Sequence, residues 1–218
     1  MLSLPRLYAI LDVDTVVARG LEPRAVMQDW IDAGVSLIQL RAKNLPSGEF
    51  LELAKDLVNR AHAAKQAHAE NAEGAEILLL INDRADIALM SGADGVHVGQ
   101  DDLSPKMLRG LRDLRVIGLS THSLAQLTAA LDEPADYFAI GPVFETSSKS
   151  DASPVVGLDG VRAARGLLDA RGDKRPLVAI GGITPDTAPD VFRAGAASVA
   201  MISALFTYRI TSFLPEAF

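Results

Sequence analysis

The chain has 218 residues, of which 49% are hydrophobic and 22% are charged. This length suits one folded domain over residues 1–218 and is short for two. A formal net charge of −7 argues against a nucleic-acid or anionic-membrane partner, and the absence of cysteine excludes disulfides, thiolate metal sites and a cysteine nucleophile. The N-terminus lacks a signal-peptide pattern and no apolar run approaches the ~20 residues that cross a bilayer, so we expect a cytoplasmic protein.

Eight short β-rich segments recur along the chain, with helical segments between them. Each segment is apolar on both faces, as strands of a parallel sheet covered by helices are. Helical periodicity is clearest over residues 48–69 and 158–171. The count predicts a single-domain α/β fold, the (β/α)8 or TIM barrel, with an open doubly wound sheet as the alternative. The predicted strands are residues 6–11, 36–40, 77–81, 95–98, 115–120, 136–141, 176–181 and 198–202.

Two Ser/Thr-Pro pairs have the pattern of a helix start, an N-cap followed by proline at the first helical position. They are Ser104-Pro105 and Thr184-Pro185. The polar stretch at residues 68–76 is interpreted as a surface loop.

Polar residues concentrate where the strands end, which is where a barrel of this kind carries its active site. The second strand ends in "QLRAK", in which Gln39, Arg41 and Lys43 alternate. Alternation puts these three side chains on one face of an extended segment. Arginine with lysine suits a phosphate or diphosphate, and a salt bridge at the barrel rim is the structural alternative.

The third and fourth strands end in carboxylates. Asn82 and Asp83 follow one strand, and Asp101 and Asp102 follow the next. Asp83 and one of the later pair could meet across the barrel mouth and bind Mg²⁺ together with phosphate oxygens and water. Helix capping is the alternative for both pairs, and packing in the core is the alternative for His97 within the fourth strand.

The later strands end in hydroxyl groups and glycine. Ser120 continues the fifth strand, and His122 precedes the helix that begins at Ser123. The sixth strand leads into a long loop over residues 141–157 with one lysine, Lys149, which is interpreted either as a cover over a phosphorylated ligand or as a mobile surface loop.

A second phosphate region is predicted after the last two strands. Gly181 and Gly182 permit close backbone approach, and Ser203 can donate at the start of the last helix. Two phosphate regions indicate two phosphorylated substrates, or one substrate with phosphates at both ends.

The ordered strand-end motifs resemble those of the thiamine phosphate synthase (thiamine-phosphate pyrophosphorylase) family. They are "QLRAK", "INDR", "GADGVHVGQDD", "GLSTHS", "GPVFETSSK", "IGGIT" and "MIS". The resemblance implies a transferase that joins an aminopyrimidine methyl diphosphate to a thiazole phosphate, giving thiamine phosphate and pyrophosphate. It also implies two phosphorylated small-molecule partners and Mg²⁺ as cofactor.

The resemblance assigns residues to the first substrate by matching positions. Asp83 and Asp102 are implied as Mg²⁺ ligands, and His97 is implied to line the site without acting as a base. Lys149, Arg41, Lys43 and Ser120 are implied to assist the reaction. The residues implied to bind the pyrimidine diphosphate are Gln39, Leu40, Arg41, Ala42, Lys43, Asn82, Ser120 and Lys149.

The resemblance also assigns a second set. The residues implied to bind the thiazole phosphate are Thr146, Ser147, Ser148, Gly182, Ile202 and Ser203. The family loop commonly has proline where this chain has Glu145 and threonine where it has Ser148. Glu145 adds a negative charge near a phosphate.

Two other functions are compatible with parts of the sequence. "VFET" and "STHSL" also resemble a thiazole tautomerase of the same superfamily, but the full Gln-x-Arg-x-Lys, Asn-Asp and Gln-Asp-Asp set favours the synthase. A non-catalytic binder of phosphorylated thiamine precursors would not need the paired carboxylates. The outer helices of a barrel can pack against a second copy, so a homo-oligomer is compatible with the sequence.

Overall fold

Eight parallel strands close into a barrel in sequence order, with β8 pairing back onto β1. The computed structural model describes residues 2–70, 76–146, 154–208 and 210, without the side chains of residues 66–70. The predicted (β/α)8 barrel is confirmed, and the open sheet is wrong. The strands are β1 (Leu7–Asp12), β2 (Leu37–Arg41), β3 (Leu78–Asn82), β4 (Gly95–Val98), β5 (Val116–Thr121), β6 (Tyr137–Ile140), β7 (Leu177–Ile180) and β8 (Ser198–Met201).

Helices follow the strands and cover the outside of the barrel. The strand predictions agree with the structure to within one residue at each end, because each run is predominantly apolar and polar residues or glycine stand at or beside its ends. The helices are α1 (Val13–Ala18), α2 (Pro23–Asp32), α3 (Ser47–Glu70), α4 (Ala85–Ser91), α5 (Pro105–Leu108), α6 (Leu124–Ala130), α7 (Gly157–Ala170) and α8 (Ala188–Arg193), and a 3₁₀ turn follows at Ser203–Phe206.

Two of the local predictions fail for identifiable reasons. Ser104 caps α5 as predicted, but Thr184 does not cap α8. The Thr184 amide instead donates to Thr187 Oγ1 at 2.9 Å, so the Thr-Pro pair makes a turn and the helix begins at Ala188. The predicted polar loop at residues 68–76 is helical up to Glu70, because α3 runs on through charged residues; residues 71–75 lie outside the described chain.

Strand alternation divides the buried side chains into two layers. One set points outward and packs beneath the helices, as Leu40, Val96 and Ile117 do. The other set fills the barrel interior and includes two tyrosines, Tyr8 and Tyr137, whose side chains are fully enclosed. Since a buried hydroxyl needs a hydrogen-bond partner, these tyrosines require a polar layer inside the barrel.

Gly118 makes room for that layer. The β5–β6 register places Gly118 opposite Tyr137. A Cβ atom at position 118 would overlap the Tyr137 ring and lie 2.5 Å from His97 Nδ1. Glycine therefore admits both rings to the barrel interior.

Within the described part of the chain, no helix combines the length and apolar character that a membrane span requires.

Candidate active site

An open cavity of about 960 Å³ lies at the carboxyl ends of the strands, and all eight strands contribute to its lining. Its two sides differ in chemistry. The β1–β5 side carries charged and hydrogen-bonding groups, whereas the β6–β8 side is apolar. The apolar residues that line the cavity are Ile10 of β1 and, on the β6–β8 side, Ala139, Val178, Ile180, Ala200 and Ile202. This division suits a ligand with a flat apolar ring and an anionic end.

A chain of hydrogen bonds crosses the cavity floor from β2 to β5. Gln39 Nε2 donates to the Tyr8 hydroxyl at 2.6 Å, and the Tyr8 and Tyr137 hydroxyl oxygens are 2.9 Å apart. His97 bridges onward, with Nδ1 2.7 Å from the Tyr137 hydroxyl and Nε2 2.7 Å from Ser120 Oγ. Burial raises the pKa of both tyrosine hydroxyls, so both remain protonated at neutral pH. His97 therefore belongs to a polar network as well as to the core.

Asp12 and Arg41 form a buried ion pair on neighbouring strands. The β1–β2 register places them opposite each other, and Arg41 Nη1 donates to Asp12 Oδ2. The other Asp12 oxygen accepts from the Thr15 amide at 2.9 Å and caps α1. Only 4% of the Asp12 side chain and 14% of the Arg41 side chain are exposed. The salt bridge considered as the alternative for Arg41 is thus present, inside the cavity wall.

Asp83 and Asp102 interact beside the cavity mouth, although they lie on different strand ends; Asp83 and Asp101 line the cavity itself. Lys43 Nζ donates to Asp83 Oδ2, and the Gly99 amide donates to Asp102 Oδ2 at 2.7 Å. Partial desolvation raises the pKa of the Asp102 carboxyl; the Gly99 amide opposes that shift, and the adjacent charge of Asp83 adds to it. The two carboxyl groups are therefore close enough to interact directly.

The capping alternatives fail at both acidic pairs. No side chain caps α4, whose N-cap residue is Arg84, and Asp83 has a left-handed backbone with φ 61°. Ser104 caps α5, so neither Asp101 nor Asp102 is needed there. Asp102, and not Asp101, stabilises the turn at Gly99 by accepting from the Gly99 amide.

The Asp83–Asp102 pair fits a magnesium ion better than a transition metal. The described residues contain no group of three or more histidine, cysteine, aspartate or glutamate side chains arranged around one point. Mg²⁺ commonly takes one or two carboxylates and completes its shell with water and substrate phosphate oxygens. Two hard oxygen donors beside a cavity with anion-binding groups match that pattern.

The second predicted phosphate region brings together the ends of β6, β7 and β8. The Phe144 amide donates to the Gly181 carbonyl at 3.0 Å, which holds the start of the β6–α7 loop against β7. Gly182 has φ 64°, and a Cβ there would lie 2.5 Å from the Glu145 carbonyl oxygen. Ile202 and Ser203 line the cavity beside this corner. The Glu145 side chain is exposed.

The remaining predicted residues fall into three groups. Gln39, Asn82 and Ser120 line the cavity. Leu40 and Ala42 point into the core beneath the helices, so only their main-chain atoms can face a ligand. Thr146 is partly buried in the β6–α7 loop, whereas Ser147, Ser148 and Lys149 lie outside the described residues.

The sequence reading missed cavity residues on β1 and α1. Tyr8, Asp12, Asp14 and Arg19 all line the cavity. Asp12 had a detectable signal, since it follows an apolar strand as Asp83 does. Arg19 had none, because its place beside the Phe206 ring depends on the closure of β8 onto β1.

Comparisons with known proteins agree with this geometry. The family described as "Thiamine monophosphate synthase" matches residues 7–205. The chain belongs to this family. The thiamine-phosphate synthase of Koribacter versatilis is 43% identical over 94% of this chain and 90% of its own length. That of Chloroflexus aurantiacus is 38% identical over 92% of this chain and 84% of its own length.

A solved structure shows the same relationship in three dimensions. The thiamine phosphate pyrophosphorylase of Pyrococcus furiosus superposes with a TM-score of 0.73 at 31% identity, covering 95% of this chain and 90% of that protein. The resemblance to the thiamine phosphate synthase family is confirmed, and the transferase assignment with it.

We expect Asp12→Ala to lower the free energy of unfolding by about 3 kcal/mol, because it leaves the Arg41 guanidinium buried without its counter-charge. Urea denaturation measures the change. Asp132→Ala is the matched control, since Asp132 pairs with Arg171 and its side chain is 92% exposed. The control should cost less than about 1 kcal/mol. Equal losses would show that Asp12 is no more important to the fold than a surface carboxylate.

We expect Asp102→Asn to stabilise the metal-free protein at neutral pH. A raised pKa means that the folded state holds the Asp102 proton more tightly than the unfolded state, so stability is lost as pH rises through the folded pKa. The amide removes that loss, and its advantage should vanish below about pH 4, where the unfolded aspartate is protonated too. Denaturation of both proteins across pH checks this, with the neighbouring Asp101→Asn as control; an equal gain in the control would contradict it.

Proposed function

We propose that this chain catalyses Mg²⁺-dependent formation of thiamine phosphate and pyrophosphate. The substrates would be 4-amino-2-methyl-5-pyrimidinylmethyl diphosphate and 4-methyl-5-(2-phosphonooxyethyl)thiazole. The observation that carries the proposal is a cavity lined by Arg41, Lys43 and Asp83 on one side and by apolar residues on the other, in a member of this family. That cavity has room for two small heterocycles.

The diphosphate would bind against Arg41 and Lys43. Both cations already hold a carboxylate, Arg41 that of Asp12 and Lys43 that of Asp83. Arg41 keeps unused donors, since its Nε has no hydrogen-bond partner among the described residues. A guanidinium fixed from one side presents its remaining N–H groups in a set direction, which favours bidentate contact with phosphate oxygens.

Asp83 and Asp102 would hold Mg²⁺ beside the diphosphate. When bound, the ion would neutralise charge that develops on the departing pyrophosphate. The adjacency of the two carboxylates supports this placement, because a cation between them would offset their mutual repulsion.

The pyrimidine ring would lie on the cavity floor. Gln39, Asn82 and Ser120 offer hydrogen-bonding groups there, and Ala139 and Val178 offer apolar contact. The thiazole phosphate would bind at the corner formed by Gly182, Ile202 and Ser203, with Thr146 and the adjoining Ser147 and Ser148.

The chemistry needs no protein base. The bond between the pyrimidine methylene carbon and the diphosphate oxygen breaks, and pyrophosphate takes the electron pair. The electron-rich aminopyrimidine stabilises the resulting cation, and the thiazole nitrogen then forms the new C–N bond. The protein's contribution is to neutralise the leaving group, through Arg41, Lys43 and Lys149, and to hold the two rings in line. His97 lines the site and abstracts no proton.

The direct test mixes the purified protein with both substrates and Mg²⁺. We expect thiamine phosphate and pyrophosphate in equal amounts, with both products lost when a chelator removes the metal ion. Chromatography of thiamine phosphate and an enzymatic pyrophosphate assay measure the two products. Folded protein that forms neither product would overturn the proposal, and isomerisation of a carboxylated thiazole phosphate without pyrophosphate release would indicate a tautomerase.

The two adjacent acids provide an internal comparison. Asp102→Asn should lower Mg²⁺-dependent turnover by at least about 100-fold, because removing a metal ligand impairs charge neutralisation at the leaving group. Asp101→Asn should change turnover less than about threefold, since that carboxylate takes no part in the proposed metal site. Turnover measured across Mg²⁺ concentrations checks both variants, and comparable losses would contradict the division of roles.

A further inference from the structure

The hydrogen-bond chain on the cavity floor has a direction, and the direction fixes which groups it presents to a ligand. Its members are Gln39, Tyr8, Tyr137, His97 and Ser120, with adjacent polar atoms 2.6 to 2.9 Å apart. Each hydroxyl has one proton to donate, so the choice made at one end determines every later link.

The Gln39 end sets the choice. Its Nε2 can only donate, so the Tyr8 oxygen accepts from it. The Tyr8 proton is then free for Tyr137, and the Tyr137 proton is free for His97 Nδ1. An Nδ1 that accepts leaves the proton of a neutral imidazole on Nε2, which donates to Ser120 Oγ. With Nε2 facing Tyr8, the opposite direction would leave the Tyr8 proton without an acceptor; it would require the Gln39 amide oxygen to face Tyr8 instead.

Burial keeps the two phenols in the state this requires. Tyr8 and Tyr137 are enclosed, and desolvation raises the pKa of both hydroxyl groups. Each therefore carries its proton at neutral pH and acts as one donor and one acceptor.

We infer that Tyr8, Tyr137 and His97 are positioning residues that hold His97 in its Nε2–H tautomer and turn the Ser120 hydroxyl proton toward the cavity. Ser120 Oγ already accepts from His97, so its own proton is available to a hydrogen-bond acceptor on a ligand. At the other end, no described residue bonds to the Gln39 amide oxygen. The floor thus presents a donor at β5 and an acceptor at β2.

This pair matches a heterocycle that carries a ring nitrogen and an exocyclic amino group. The inference rests on the proposed function, in which an aminopyrimidine lies on this floor. The three positioning residues need not touch the substrate. They would determine how Ser120 and Gln39, which do touch it, discriminate between rings.

Nitrogen NMR of the protein labelled with ¹⁵N-histidine tests the tautomer without any substrate. The chain has four histidines, and variants of His62, His68 and His122 to glutamine leave the His97 signals by elimination. We expect the shifts of a neutral ring with its proton on Nε2. A proton on Nδ1, or on both nitrogens, would overturn the inferred direction.

The kinetics of Tyr137→Phe test whether the hydrogen-bond chain affects binding of the pyrimidine diphosphate. Loss of the donor to Nδ1 lets His97 take the other tautomer and draw the Ser120 proton back. We expect KM for the pyrimidine diphosphate to rise about tenfold, the effect of one lost hydrogen bond to substrate, while KM for the thiazole phosphate stays within about twofold. In the same variant, the His97 ¹⁵N shifts should move toward a mixture of tautomers.

Tyr208→Phe is the matched control, since it removes the same atom from a partly exposed tyrosine outside the cavity lining. It should change neither constant. Tyr8→Phe should reproduce the Tyr137→Phe pattern, and the double variant should be no worse than either single one. If Tyr137→Phe does not fold, Tyr8→Phe alone tests the positioning role. Equal increases in both KM values, or additive effects, would indicate a structural role only.

The proposed function and the inferred direction of the hydrogen bonds can fail independently. A wild-type protein that forms no thiamine phosphate would overturn that function and the assigned ligand. The tautomer measurement would still decide the direction of the hydrogen-bond chain.

Discussion

The site depends on the closed register of eight parallel strands. Because β8 pairs with β1, every inward-facing residue near a strand's carboxyl end faces one shared cavity. Residues from distant parts of the sequence, such as Asp12 and Arg41, become neighbours through strand pairing alone. A shift of one residue in either strand would turn that arginine toward the helices, so the chemistry of the cavity is set by backbone hydrogen bonds as much as by side chains.

Two cations of the cavity are paired internally, the buried Arg41 and the half-exposed Lys43. Arg41 is matched by Asp12 and Lys43 by Asp83, so the two cations are held by carboxylates before any ligand arrives. An unpaired charge in such a setting would be costly, and its side chain would sample several rotamers. Paired cations are instead preorganised, which lowers the reorganisation required when an anion binds.

The sequence was sufficient to predict the fold and the end of the barrel that carries polar residues. Strand runs that are apolar on both faces are unambiguous, and Gln39, Arg41 and Asp83 stand out because they interrupt that pattern at its end. Tyr8 and Tyr137 could not be recognised, since a tyrosine within an apolar strand has the pattern of ordinary core. Their hydrogen bonds require the β5–β6 register and the space at Gly118, which are tertiary properties. The predicted helix cap at Thr184 was wrong because the Thr184 amide donates to the Thr187 hydroxyl in a turn before the helix.

Asp12 links the start of α1 to the arginine at the end of β2. One carboxylate oxygen holds the Thr15 amide at the start of α1, and the other holds the Arg41 guanidinium. A displacement of the helix start therefore cannot leave the guanidinium in place without breaking one of these bonds. Asp12 therefore couples the position of the α1 start to that of the arginine, so a displacement of this helix start would be transmitted to the anion-binding side of the cavity.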